Sequence, residues 1–292
     1  MTDSTELDRI GDEHGIVGRR PALRALDACL RIGRNALMEG PVGVGKTVLA
    51  RAVCAASGRG FIRVDGDGRY TEAKLVGHFD PPGVLARGYQ PDLFIAGPLV
   101  SAMQQGAVLF INELNRMPEG VQNVLLPALD EGVVHVPHLG AVHAKTGFSV
   151  VATQNPAEFV ATGQLSEALL DRFELVVLDY QSADEEVQIV QRQASTAPAA
   201  DLVQRAVALT RETRSSKLFR RGASVRAAVA IADLATVLGG DILAAAVLAL
   251  PTRVELMDGR DQDLTVLLTD LLQKADEALA RETLEKKKPP LS

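Results

Sequence analysis

At 292 residues, with 47% hydrophobic and 23% charged side chains, the chain has the composition of a folded globular protein and the length for one large packed unit plus a smaller one. That balance excludes a disordered chain, and no apolar run reaches the roughly 18 residues that a membrane-spanning helix requires. The formal net charge of -6 excludes a uniform positive field that would draw the whole protein onto nucleic acid or an anionic membrane.

Residues 1–14 are polar and acidic, without the charged start and apolar stretch of a secretory leader. They read as a flexible N-terminus, and the expected compartment is the cytoplasm. Leu23, Leu26 and Leu30 recur at helical spacing, which predicts an amphipathic helix from about Ala22 to Ile32. A short apolar strand, Ala36-Leu37-Met38, runs into a glycine-rich turn, and Thr47 to Ala56 reads as the helix that follows. Further strands are expected at Phe61–Val64, Ala107–Ile111, Phe148–Ala152 and Leu175–Leu178. Their apolar runs are continuous rather than alternating, which predicts an α/β fold with a parallel sheet covered by helices on both faces. Pro127 interrupts an otherwise helical stretch, Glu119–Glu131, and predicts a kink or a helix broken at Leu126. From about Ser182 onward the pattern turns helical throughout. The expected organisation is therefore an α/β nucleotide-binding domain over residues 15–181, an all-helical lid domain over 182–285 and a solvated basic tail over 286–292. Cys29 and Cys54 lie in apolar helical segments without metal-ligand spacing and read as buried free thiols.

Between the first strand and its helix, Gly40-Pro41-Val42-Gly43-Val44-Gly45-Lys46-Thr47 fits the phosphate-loop pattern GxxxxGK[ST]. The glycines let the backbone curl so that several N–H groups converge on phosphate oxygens, and the helix that follows aims its positive end at the same anion. Lys46 supplies a point charge for the β- and γ-phosphates of a nucleoside triphosphate, and Thr47 offers a hydroxyl to Mg²⁺. A merely flexible turn is the alternative, and the flanking strand and helix disfavour it.

The strand at Ala107–Ile111 ends in Asn112-Glu113, where a phosphate-loop ATPase places a metal-organising Asp followed by a Glu that polarises the attacking water. Glu113 keeps the second role as general base, with a solvated strand-end charge as its alternative. Asn112 offers a carbonyl oxygen to the metal's water shell but no charge. The expectation is weaker Mg²⁺ organisation and slow turnover, relieved by Asn112→Asp.

Five blocks in order resemble the MoxR family of AAA+ ATPases. They are Leu37–Pro41 leading the phosphate loop, Phe110-Ile111-Asn112-Glu113-Leu114-Asn115-Arg116, Val151–Pro156, Leu170-Asp171-Arg172-Phe173 and Gly222-Ala223-Ser224-Val225-Arg226. The resemblance runs from about Gly15 to Leu256 and implies ATP and Mg²⁺ as cofactors. It implies that Asn155 is the sensor that orients water or reads the γ-phosphate, with a simple Asn-Pro turn as the alternative. Arg172 resembles the arginine finger that enters a neighbouring subunit's site, with a salt-bridged surface arginine as the alternative. Arg226, on a helix expected to be capped by Ser224, resembles the second sensor, with an ordinary exposed arginine as the alternative. Ile16 and Val17 resemble the segment that packs near adenine, although core packing explains them nearly as well. The family also implies an insertion within Gly66–Gln105 and a hairpin over Gly132–Gly147, both facing a ring's central opening. A metal site at His135, His138 and His143 fits the strand-like alternation less well than a hairpin does.

The implied activity is ATP hydrolysis by a ring of subunits, a hexamer, that remodels a protein substrate together with a partner bearing a von Willebrand factor A domain. Two other readings stand beside it. One is a nucleotide-gated scaffold with little hydrolysis, favoured by Asn112; the other is a small-molecule kinase, disfavoured by the finger-and-sensor set.

Overall fold

The computed structural model describes residues 4–155, 164–257 and 263–286. In chain order, the first unit contains α1 (Ser4–Glu13), α2 (Arg20–Arg31), β1 (Ala36–Glu39), α3 (Lys46–Ala56) and β2 (Phe61–Asp65). It continues through α4 (Glu72–Val76), β3 (Gly77–Phe79), α5 (Pro81–Arg87), β4 (Phe94–Ala96), α6 (Pro98–Gln105) and β5 (Val108–Asn112). Then come α7 (Glu119–Asn123), α8 (Leu125–Asp130), β6 (Val133–Val136), β7 (Gly140–His143), β8 (Ser149–Gln154), α9 (Glu167–Leu170) and β9 (Glu174–Val177). The second unit holds α10 (Ala183–Gln193), α11 (Ala200–Ser215), β10 (Phe219–Arg221), α12 (Val225–Val237), α13 (Ile242–Ala249), β11 (Glu255–Leu256) and α14 (Leu264–Lys286). Contacts divide the chain into Met1–Asp179 and Tyr180–Ser292.

Five strands of the first unit form one parallel sheet in the order β2-β5-β8-β1-β9. Position in that sheet explains the apolar pattern. Val108 to Ile111 of β5 and all of β8 are buried on both faces, so their runs are continuous. The edge strand β9 alternates, with Val176 buried and Leu175 and Val177 exposed. Phe110, Leu109, Ile111, Leu37 and Met38 are fully buried, each stabilising the fold by about 1.5–3 kcal/mol relative to exposure. On α2 the buried residues are Leu23, Leu26, Asp27 and Leu30, and Pro21 opens the helix where its missing N–H is harmless.

Three local expectations are corrected. Ser4–Glu13, expected to be flexible, is helical, and α1 packs against α2 and α3 through Ile10, which is buried. The helix at Pro127 breaks at Val124 rather than Leu126. Pro127 lacks the N–H that would bond the carbonyl four residues back, at Asn123, where α7 ends. Pro127 then falls in the first turn of α8, where no donor is needed. The second unit is not all helical, because Phe219–Arg221 pairs antiparallel with Glu255–Leu256, a ladder too short to leave a sequence pattern. The basic tail over 286–292 lies, after Lys286, outside the described residues.

The long interval Gly66–Gln105 folds as α4 and α6, which pack on each other, interrupted by the antiparallel pair β3–β4 with α5 between its strands. Residues 133–143 form the antiparallel hairpin β6–β7. Among the described residues, no helix is long and apolar enough to cross a membrane.

Candidate functional site

The C-terminal ends of β5, β8 and β1, neighbours in the sheet, deliver the site. Gly40 to Gly45 leave β1 with φ of 156° at Gly40, 85° at Gly43 and 91° at Gly45, backbone that side-chain-bearing residues rarely adopt. Glycine is demanded twice over at Gly40, because a Cβ there would lie 2.1 Å from Leu178 O. At Gly45 the same Cβ meets no protein atom within 4 Å, so the space beyond it is open to a ligand. Gly45 begins α3 in a left-handed conformation and has no side chain to cap the helix, so the helix start faces the loop without a competing side-chain cap at that position. The Lys46 ammonium folds into the curl and donates to Gly40 O and, at 3.0 Å, to Pro41 O. Thr47 is half-buried on the first turn, Val44 is buried and Val42 is exposed.

Arg19, which no motif marked, ties the preceding segment to this loop. Its backbone is left-handed at φ 67°, and its Nη2 donates to Val44 O at 3.2 Å and to Asp179 O at 2.6 Å. Ile16 is half-buried and Val17 buried, which core packing alone would account for.

On the acidic side, Asn112 ends β5 in a hydrogen-bonded chain. Its Nδ2 donates to Asp65 Oδ1 at 3.0 Å, and its Oδ1 accepts from Thr153 Oγ1 at 3.1 Å. Thr153 Oγ1 in turn accepts from the Glu113 N–H at 2.8 Å, which pins Glu113 in a left-handed conformation with φ 57°. The Glu113 carboxylate lies 3.2 Å from Arg116 Nε. Asp65 is gripped by Arg63, whose hydrogen bonds hold its carboxyl below the usual range; partial burial opposes this and the Asn112 amide assists it.

Asn155 directly follows β8 and is buried. Gln154 before it pairs in register with Glu39 and donates to Glu39 Oε2 at 2.7 Å, so Asn155 and Gly40 continue adjacent strands side by side. Arg172 is engaged within its own chain, with Nε 2.6 Å from Asp130 Oδ1 and a further bond to Ala168 O. Arg226 lies exposed on the first turn of α12 in the second unit. Ser224 stands at the N-cap position, but its side chain makes no capping bond, and its carbonyl takes the Ala227 N–H instead.

The donor set fits a triphosphate and a hard cation. Loop amides and Lys46 suit phosphate, while Thr47, the Asn112 carbonyl and the Glu113 carboxylate are oxygen donors of the kind Mg²⁺ accepts alongside water and phosphate. Among the described residues no group of three or more His, Cys, Asp or Glu converges as a metal cage, the hairpin histidines included. His138 instead stacks on Tyr89 at 3.8 Å. Cys29 and Cys54 are free thiols, Cys54 buried and Cys29 only half so.

Sequence reasoning missed Arg19, Asp65 and Asp130, and gave no role to Thr153 within the Val151–Pro156 block. No local pattern marks Asp65, whose role depends on the strand order that sets β2 beside β5.

This fold and loop define a phosphate-loop nucleotide-binding protein. Residues 35–173 match the family model described as AAA domain (dynein-related subfamily). Gas vesicle ATPase GvpN2 of Halobacterium salinarum is 30% identical over 229 residues, which cover 69% of this chain and 67% of that protein. An uncharacterized protein of Staphylococcus epidermidis is 30% identical over 217 residues, covering 72% and 81% respectively. The chain belongs to the AAA family of ATPases. Among solved structures, a candidate ATPase of Cytophaga hutchinsonii superposes with a TM-score of 0.51 at 20% identity, covering 93% of this chain and 94% of that one. A RuvB variant of Thermotoga maritima gives 0.51 at 19% identity, covering 90% and 71%. Both share the fold.

Proposed function

We propose that this protein is an ATPase of the MoxR type that binds ATP with Mg²⁺ and uses slow hydrolysis to remodel or activate a partner protein complex. The observation that carries the reading is the glycine-shaped curl at Gly40–Gly45, with Lys46 inside it and α3 starting at Gly45 without a side-chain cap. In this reading Glu113 takes a proton from the attacking water, Asn155 orients that water, and Thr47 with Asn112 holds the water shell of the metal. Glu113 must exchange its Arg116 contact for water as the nucleophile forms.

Subunits assemble as a ring, a hexamer, in which Arg172 trades Asp130 for the γ-phosphate of the next subunit. Arg226 acts from the lid unit, over residues 182–285, as the second sensor. The β3–β4 insertion and the β6–β7 hairpin face the ring opening and carry the movement to a protein substrate. A partner with a von Willebrand factor A domain delivers that substrate, and the work is done in the cytoplasm. The halobacterial relatives are named for gas vesicles, which supports a client that is an assembly rather than a small molecule.

Asn112 favours a second reading, a nucleotide-gated scaffold that assembles but barely hydrolyses. Phosphate release by the purified protein, compared with Lys46→Ala and Glu113→Gln, separates the two. Release that depends on both residues supports the ATPase, and equal rates in all three proteins leave only the scaffold.

A further inference from the structure

The carboxylate that Asn112 lacks stands one strand away. β2 and β5 run parallel with Asp65 directly opposite Asn112, and the Gly66 N–H donates to Asn112 O at 2.7 Å. The approach is so close that a Cβ on Gly66 would lie 2.2 Å from Glu113 O, so the chain leaving β2 is moulded against the strand end that carries Asn112 and Glu113. Arg63 Nε reaches both Asp65 oxygens, at 3.2 and 3.1 Å, and Nη2 reaches Oδ1 at 2.6 Å, which fixes the plane of the carboxylate.

An amide side chain has two chemically different ends, and its neighbours decide which way it faces. Asp65 accepts and cannot donate, so it holds the NH₂ end of Asn112 on the β2 side. The Thr153 hydroxyl, on β8, meets the oxygen end. The carbonyl of Asn112 is thereby directed toward β8, the strand that lies between it and β1 with its phosphate loop. A donor bonded to a carboxylate also polarises the amide, making that carbonyl a stronger acceptor.

We infer that Asp65 is a positioning residue for the metal side of the site, acting through Asn112 to fix and polarise the carbonyl that faces the magnesium water shell. The inference rests on the nucleotide reading proposed above. It revises the simple expectation for Asn112→Asp, because that change alone sets a second carboxylate at hydrogen-bond distance from Asp65. The two repel, and the strand ends that carry Glu113 splay. The acid becomes useful at position 112 only when the donor moves to position 65, as in the double exchange Asp65→Asn with Asn112→Asp.

The test uses the full chain and a fluorescent ATP analogue, titrated with and without Mg²⁺, beside the Mg²⁺ dependence of phosphate release. Thermal unfolding of each variant confirms folding. For Asp65→Ala the Mg²⁺ concentration giving half-maximal release rises about ten-fold, and the gain in nucleotide affinity that Mg²⁺ confers shrinks by a similar factor. Asp65→Asn, which keeps an acceptor, shows a smaller shift. Asn112→Asp alone does not lower the Mg²⁺ requirement, whereas the double exchange does. An unchanged Mg²⁺ dependence in Asp65→Ala, or a full gain from Asn112→Asp alone, overturns the inference while leaving the nucleotide reading standing. Absence of analogue binding by the unaltered protein, with or without Mg²⁺, overturns both.

Discussion

Replacing each of two loop glycines with alanine separates what the fold needs from what the ligand needs. In Gly40→Ala the new Cβ falls 2.1 Å from Leu178 O, and Leu178 cannot retreat freely because its N–H donates to Glu39 O at 2.7 Å. Forcing that contact costs about 1–3 kcal/mol, and an alanine at φ 156° adds roughly 1–3 more, for a loss of about 2–6 kcal/mol. In Gly45→Ala the Cβ meets nothing within 4 Å. Only the left-handed backbone is penalised, at about 1–2 kcal/mol, and the lower entropy of the unfolded chain offsets roughly half of that. The net cost is about 1 kcal/mol. Yet the methyl occupies the space through which phosphate oxygens reach the amides, so nucleotide affinity falls about 10- to 100-fold. Urea unfolding and titration with a fluorescent ATP analogue read the two quantities. Gly45→Ala should look nearly normal in the first and crippled in the second, and an affinity within two-fold of the unaltered protein would refute the reasoning.

Other expectations follow from named contacts. Arg172→Ala should leave nucleotide binding intact and lower phosphate release by about a thousand-fold or more; a rate that is unchanged at ring-forming concentrations assigns Arg172 to its Asp130 pair alone. Glu186 is buried between Arg211 and Arg214, with Arg214 Nη1 2.6 Å from Oε1 and its guanidinium 3.9 Å from the Tyr180 ring centre. Glu186→Gln leaves the part-buried Arg214 without its charge partner and should destabilise the second unit by about 1.5–3 kcal/mol in urea, and a loss below about 0.5 kcal/mol would contradict this. Burial pushes the Cys54 thiol from 9.0 up to about 12. Because the folded value lies above the unfolded one, this contribution is whole below pH 9 and is lost as pH rises toward 12. In the native protein at pH 8 Cys54 should therefore resist a thiol reagent that labels it promptly after denaturation.

The sheet was legible in the sequence because burial on both faces writes itself as an unbroken apolar run. Phe61–Val64 became Phe61–Asp65, and Phe148–Ala152 became Ser149–Gln154. The phosphate loop was equally plain, since its glycines answer to backbone geometry. What stayed hidden was relational. Asp65 matters only because strand order sets β2 beside β5, and Arg19 only because two carbonyls distant in sequence converge on it. The β10–β11 ladder is too short for alternation to register, and α1 hides behind the polar residues that surround its buried Ile10 in the sequence. Pro127 does break the helix, but the break falls at Val124, just after the Asn123 carbonyl that the missing bond would have used, not beside the proline.

The most direct test is calorimetry of the purified chain with ATP and Mg²⁺, run beside Lys46→Ala. The account predicts a saturable heat near one nucleotide per chain that Lys46→Ala abolishes. No heat, or a heat that survives Lys46→Ala undiminished, would contradict it.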